Sequence, residues 1–196
     1  MDLKQELAGL LGANVPLVNL ITYEEERVLR TLGEVQPGGG LGIVAWDLAD
    51  GFQIVREGKT PFPVKDCTTD TLLPHLAEKA PPGTIIVLKD FHHAWTQKKA
   101  YITRKLRNMV PKLRSNSQFL VFITPQLDLP MELKDDVVVV YVPLPDQEGL
   151  QRVFDGMTGK IDRAKLPRPE LKQKLIDSAL GLTTTQARLA FQRVYA

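Results

Sequence analysis

The stretch Thr84–Trp95, TIIVLKDFHHAW, constrains this chain more than any other. Pro81-Pro82-Gly83 stands before it as a turn signal, Thr84 to Leu88 are apolar or β-forming, and the charged pair Lys89-Asp90 follows. A short apolar run bounded in this way reads as a strand buried on both faces. Such strands belong to parallel sheets covered by helices on both sides. In those sheets ligands bind just beyond the carboxyl ends of the strands, where Asp90 falls.

The rest of the chain alternates accordingly. Leu3, Leu7, Leu10 and Leu11 have helical spacing, with Asp2 as a candidate cap and Gly12 and Asn14 at the end. Val15–Thr22 reads as a buried strand. The following helix has Glu24, Glu25 and Glu26 in its first turn, where the helix dipole favours acids, and Val28, Leu29 and Leu32 as its apolar stripe. Pro37–Gly40 is a turn. Gly42–Trp46 and Phe52–Val55 are strands joined by a hairpin at Asp50-Gly51. Thr69–Ala80 is a helix that Pro74 interrupts or starts. A longer helix covers Gln97–Leu113, with Pro111 kinking or ending it. Ser117–Thr124 and Val137–Val142 are further strands. After Pro145 the pattern is helical throughout: Asp146–Met157, Pro167–Leu180 and Thr183–Tyr195. The expected fold class is therefore α/β, a mostly parallel sheet flanked by helices over residues 1–145, followed by a small all-helical unit over 146–196.

Composition bounds the function loosely. The 196 residues are 43% hydrophobic and 24% charged, with a formal net charge of +2, so bulk charge names no partner. One cysteine, Cys67, excludes an internal disulfide framework and a cysteine-built zinc cluster. No apolar run approaches a membrane span, and the N-terminus MDLKQELAGLLGA lacks the long apolar core of a signal peptide. The expectation is a cytoplasmic protein with no membrane contact.

The central chemical question is whether a phosphate site faces Asp90. A carboxylate at such a strand end is where nucleotide hydrolases hold Mg²⁺. A phosphate loop needs glycines, so that backbone N–H groups can cradle the phosphate, and a Lys-Ser/Thr pair. The junction after the first strand is Ile21-Thr22-Tyr23-Glu24-Glu25-Glu26, which has neither glycine nor lysine and has three carboxylates instead. Gly58-Lys59-Thr60 is a decoy. Gln53 stands where the first glycine should be, a strand precedes it, and Pro61 follows where a helix should begin. Lys59 is thus a candidate phosphate ligand only if that loop folds back. Phe91 occupies the position of a catalytic glutamate, so a polarised water has no base. His92 and His93 are adjacent and cannot chelate one metal by themselves. No metal site is expected, and no Ser/His/Asp arrangement stands out.

Residues 98–114 carry Lys98, Lys99, Arg104, Lys105, Arg107, Lys112 and Arg114 and no acid, leaving 18 basic against 23 acidic residues elsewhere. A solvated helix face, an acidic protein partner or neighbouring subunit, and nucleic acid are the three readings of this helix. Tyr101 is the lone aromatic among these residues, which argues against single-strand stacking and makes nucleic acid the weakest of them.

In this order the phrases TIIVLKDFHH, FLVFITPQLDLPMEL, VPLPDQEGLQRVF and GLTTTQARLAFQRVYA resemble an AAA ATPase domain with its Walker B strand, sensor strand and helical lid. ITYEEERVLRTL, LKDFHHAW, RKLRNMV and ITPQLDLPMEL look still more like one branch. That is the AAA ATPase family of cyanobacteria, other bacteria and algal plastids, whose members carry a degenerate N-terminal AAA-like domain before a complete one. The resemblance implies that Asp90 matches the Walker B aspartate as a vestige, that Thr124 or Gln126 falls near the sensor position, and that Thr22-Tyr23-Glu24 replaces the phosphate loop. Lys134-Asp135-Asp136 stands where arginines would be expected, and Gly181-Leu182-Thr183 marks a turn without a sensor arginine. It further implies a non-catalytic domain without cofactor of its own, a parent protein that uses ATP and Mg²⁺ in a second AAA domain, and a chain that is the N-terminal part of that protein. Its expected partners are that second domain or neighbouring subunits. Lys98, Lys99, Arg104, Lys105 and Arg107 are the candidate contacts.

Overall fold

The computed structural model describes residues 2–35, 41–159 and 166–195, without the side chains at 96–98 and 195. The turn expected at Pro37–Gly40 lies outside the described residues. The chain forms two compact units, Met1–Val142 and Pro143–Ala196.

In the first unit the elements run α1 Leu3–Gly12, β1 Leu17–Ile21, α2 Glu25–Glu34, β2 Ile43–Asp47, β3 Gly51–Arg56, α3 Thr69–Lys79, β4 Ile85–Lys89, α4 His92–Ser115, β5 Phe119–Thr124 and β6 Val138–Tyr141. The sheet order is β3-β2-β4-β5-β1-β6. All neighbours are parallel except the β2–β3 hairpin. The carboxyl ends of β1, β2, β4, β5 and β6 therefore share one edge. β4 and β5 lie inside the sheet, and Ile85, Ile86, Val87 and Leu88 are all at 0% exposure. Burial on both faces explains why this run has no polar alternation.

Two apolar layers sandwich the sheet. Leu3 and Leu7 of α1 and Val28 and Leu32 of α2 cover Val18, Leu20, Ile85, Val87, Val121 and Ile123. On the other face, α3 and α4 cover Leu17, Trp46, Ile86, Leu88, Leu120 and Phe122. Phe91, Trp95 and Phe122 form an aromatic group there, with ring centroids 5.5 to 6.4 Å apart.

Three boundaries differ from the sequence expectation. α4 begins at His92, five residues early, because Ala94 and Trp95 continue the apolar stripe of Ile102, Leu106, Met109 and Leu113. Pro111 neither ends it nor stops it short of Ser115, since it lies on the exposed face while Met109 and Leu113 stay buried. α3 likewise runs through Pro74, held by Leu72, Leu73 and Leu76, each no more than 2% exposed. Asp2 stands at the N-cap of α1, but its side chain makes no cap bond.

The second unit comprises α5 Gln147–Thr158, α6 Pro169–Ser178 and α7 Thr184–Tyr195 around Leu150, Phe154, Ile176, Ala179, Ala187 and Phe191. The Asp146 carboxylate caps α5 by accepting from Gly149 N at 2.8 Å. Thr183 and Gln186 cap α7 reciprocally. Among the described residues no helix is long and apolar enough to cross a membrane.

Gly58 packs backbone to backbone on Gly42. A Cβ there would stand 2.8 Å from Gly42 N, whereas one at Gly9 in α1 would meet nothing within 4 Å. Gly58→Ala is expected to destabilise the first unit by roughly 1–3 kcal/mol through overpacking. Gly9→Ala is expected to stabilise it by about 0.5–1 kcal/mol through helix propensity. Both tryptophans, Trp46 and Trp95, are buried in this unit, so urea unfolding followed by their fluorescence reads it alone.

Candidate functional site

The shared carboxyl edge of the sheet holds a crevice of about 370 Å³ whose lining includes Glu25, Asp47, Leu48, Lys89, Asp90 and Phe91. Thr69 and His93 also reach it, so the first turns of α2, α3 and α4 all contribute. Each helix start carries partial positive charge. The chain answers that charge with its own carboxylates.

The turn between β1 and α2 is closed on itself. Thr22 N donates to Thr124 O at 2.8 Å, and Glu24 N donates to Thr22 Oγ1 at 3.0 Å. The Glu24 side chain is buried, with Oε2 2.6 Å from Arg27 Nη2. Tyr23 points outward at 80% exposure. Beside this turn, the Lys89 ammonium sits between Glu25 Oε2 at 3.4 Å and Asp47 Oδ2 at 3.7 Å. Asp47 also accepts from Ala49 N and Asp50 N at 3.0 and 2.8 Å, which fixes the start of the hairpin turn. The Glu25–Lys89–Asp47 group thus ties the start of α2 to the ends of β4 and β2.

Asp90 lies at the end of β4 with φ +50°, a left-handed conformation that aspartate tolerates better than most residues. Its N–H donates to Ile123 O at 3.0 Å, which holds the residue to β5, and its side chain is 57% exposed. Its Oδ1 lies 3.9 Å from Nδ1 of the buried His92, beyond hydrogen-bond reach. Burial, and secondarily His93, push the His92 pKa down, against the pull of Asp90 and Asp128.

Thr124 is fully buried, and its hydroxyl donates to Asn19 Oδ1 at 3.0 Å inside the sheet. Lys59 is exposed and follows Gly58, which packs on Gly42. Gly42 immediately precedes β2, whose Ile43 pairs with Ile85 at the start of β4. Lys59 therefore lies at the amino edge of the sheet, about 16 Å of strand away from Asp90. The structure does not bring Lys59 and Asp90 together.

The basic residues of α4 divide. Lys99 lies 3.9 Å from Glu132, Arg107 Nε donates to Asp136 at 3.0 Å, and Lys112 donates to Ala77 O in the last turn of α3. Arg104, Lys105 and Arg114 have no such partner among the described residues, and the Lys98 side chain is not among them. No three His, Cys, Asp or Glu side chains converge as a metal site would need, among the described residues. Reading the sequence missed Asp47, the half-buried Arg27 and the bridging role of Lys89. The available signal for Lys89 was a cation at the carboxyl end of a buried strand, where little solvent reaches it.

A family model described as the SpoVK-like AAA ATPase N-terminal domain matches residues 3–142. The uncharacterized AAA domain-containing protein ycf46 of Guillardia theta is 25% identical over 206 residues, which cover 100% of this chain and 38% of the relative. Its counterpart in Trieres chinensis is 25% identical over 201 residues with the same coverage. The chain thus spans less than two fifths of the length of these curated relatives. Among solved structures, C. elegans PCH-2 is similar with a TM-score of 0.62 at 12% identity, over 98% of this chain and 62% of that one. The FIGL-1 AAA domain, solved in complex with ADP, is similar with a TM-score of 0.56 at 8% identity, over 89% and 58%. These two likenesses carry the fold alone, an AAA-domain sheet with its flanking helices. The parallel β1–β6 frame, the acid at the end of β4 and a family match over nearly all of the first unit lead to one assignment: the chain belongs to the SpoVK-like AAA ATPase N-terminal domain family.

Proposed function

We propose that this chain is a non-catalytic AAA-like domain that serves assembly, docking or regulation of the ATPase to which it belongs. The observation that supports the reading is the occupied phosphate position. Where backbone N–H groups and a lysine would cradle a triphosphate, the turn after β1 directs the N–H groups of Thr22 and Glu24 to Thr124 O and Thr22 Oγ1. The nearby Lys89 is engaged by Glu25 and Asp47. A triphosphate brought there would meet the carboxylates of Glu25, Asp47 and Asp90. Phosphoryl transfer rests on positioning and charge stabilisation, and these residues do not fit the nucleotide.

In this reading Asp90 is a vestige of the metal-holding aspartate, and Thr124 is a sensor-like position whose hydroxyl serves the sheet. The helices α5 to α7 are the counterpart of the lid. ATP and Mg²⁺ act in a second AAA domain of the parent protein, and this domain works in the cytoplasm against that domain or neighbouring subunits. The exposed cations of α4 are its contact surface. The alternative of an atypical phosphate loop at Lys59 loses support from the distance between Gly58 and Asp90 across the sheet.

Calorimetric titration of the chain with ATP and with ADP, each with Mg²⁺, is expected to give no binding, and Lys59→Ala is expected to leave that unchanged. Micromolar affinity that falls on mutating Asp90 or Lys59 would overturn the reading. Lys89→Ala is expected to act on stability, lowering that of the first unit by roughly 1–3 kcal/mol because Glu25 and Asp47 lose their shared cation. Urea unfolding read by tryptophan fluorescence measures it.

A further inference from the structure

The crevice at the carboxyl edge carries more negative charge than its own cations balance. Among its described lining residues, Glu25, Asp47 and Asp90 stand against the ammonium of Lys89. Lys89 lies 3.4 Å from Glu25 and 3.7 Å from Asp47, which leaves one negative charge on that group and a second on Asp90, more than half of whose side chain is in solvent. Much of the remaining lining is apolar. Leu48 and Ala49 are exposed, while Trp46 and Phe91 are buried and meet edge to face at 6.2 Å. Trp46 adds a feature unrelated to charge. It is 2% exposed, and its indole Nε1–H has no acceptor among the described residues.

These features select among cations. A metal ion is a point charge, but Lys89 already stands between two of the carboxylates, and no three ligands converge among the described residues. A linear polyamine spreads its charges along methylenes but offers the indole N–H no acceptor. An arginine inside a chain brings one cation only. A basic residue at the start of a polypeptide brings every part: an α-ammonium, a second cation on an apolar stem, and a carbonyl oxygen. Such a stem packs on apolar surface while its charged end meets carboxylates. The volume of about 370 Å³ is that of a small-ligand pocket.

We infer that the crevice binds the first residue of a partner polypeptide, an arginine or lysine with a free α-amino group. One cation meets Asp90 and the other meets the Glu25–Asp47 pair, the stem lies on Leu48 and Ala49, and the first carbonyl accepts from Trp46 Nε1. The inference rests on the reading of this chain as a docking module and names the end of the partner that docks. The contact is electrostatic and partly exposed, so it weakens with salt. It also weakens as pH rises above about 8, where an α-ammonium loses its proton.

Fluorescence anisotropy tests it with a short peptide that has arginine first, alanines after it and a dye at its carboxyl end. The chain is expected to bind this peptide saturably at low salt and about pH 7. Acetylating the α-amine, or moving the arginine to the third position behind alanines, is expected to weaken binding about tenfold or more. Asp90→Asn keeps the left-handed backbone and is expected to weaken binding to a similar degree. Glu78→Gln removes an exposed carboxylate of α3 outside the crevice and is expected to change nothing. Trp46→Phe keeps a ring but removes the N–H, with a loss of about threefold expected. If circular dichroism shows that variant unfolded, a thioamide at the first bond of the peptide, a weaker acceptor, tests the same contact on the wild-type chain. Absence of binding at low salt overturns the inference, as does an acetylated peptide that binds as well as the free one. Equal losses in Asp90→Asn and Glu78→Gln would reduce the attraction to bulk charge and also overturn it. Spermidine that competes as well as the peptide overturns the polypeptide end as the occupant. None of these measurements contains nucleotide, so failure here is separate from failure of the titration with ATP.

Discussion

Burial of β4 on both faces is the constraint from which the rest of the first unit follows. Ile85 to Leu88 leave no surface for water, so both faces of the strand need covers, supplied by α1 and α2 on one side and α3 and α4 on the other. Helices can be interposed in this way only by crossover connections between parallel strands. Parallel strands gather their carboxyl ends, and the turns that follow them, at one edge. The crevice, Asp90, Thr124 and the β1–α2 turn share that edge for this reason.

That edge concentrates positive potential, because helices begin where parallel strands end. A phosphate-binding protein uses the potential for its ligand. Here Glu24 and Glu25 in the turn and first residue of α2, Asp47 at the end of β2 and Asp90 before α4 supply the negative charge covalently. Lys89 and Arg27 then keep the carboxylates from repelling one another. The carboxylates that satisfy the helix starts also make this edge an acidic one.

Much of the frame was legible from local pattern. The run TIIVL, the hairpin at Asp50-Gly51 and the Leu3/Leu7/Leu10/Leu11 stripe each state their element within a few residues. The start of α4 was not legible, because the polar Lys89-Asp90 and His92-His93 interrupt the apolar pattern before Ala94 and Trp95 join the helical stripe. The change of period at Asp90 depends on a left-handed residue that propensity does not announce. The prolines misled in the opposite sense: at positions 74 and 111 the helix loses a hydrogen bond, but burial of the neighbouring leucines outweighs it. Long-range pairings were beyond the sequence altogether. The Gly42–Gly58 contact, the Lys89 bridge and the division of the α4 cations into engaged and unengaged sets join residues distant along the chain.

That division changes what the basic helix means. Counted in sequence, residues 98–114 look like a uniform stripe of charge, as a nucleic-acid surface would be. In the fold, Glu132 holds Lys99, Asp136 holds Arg107 and the end of α3 holds Lys112, and the charge left over is discrete. A phosphate backbone presents a repeating line of charge and rewards many equivalent cations. Arg104 and Lys105 are adjacent and Arg114 follows nine residues after Lys105, half a turn out of phase, so the unengaged cations make no such line. Electrostatics of this kind fix register and partner choice more than raw affinity.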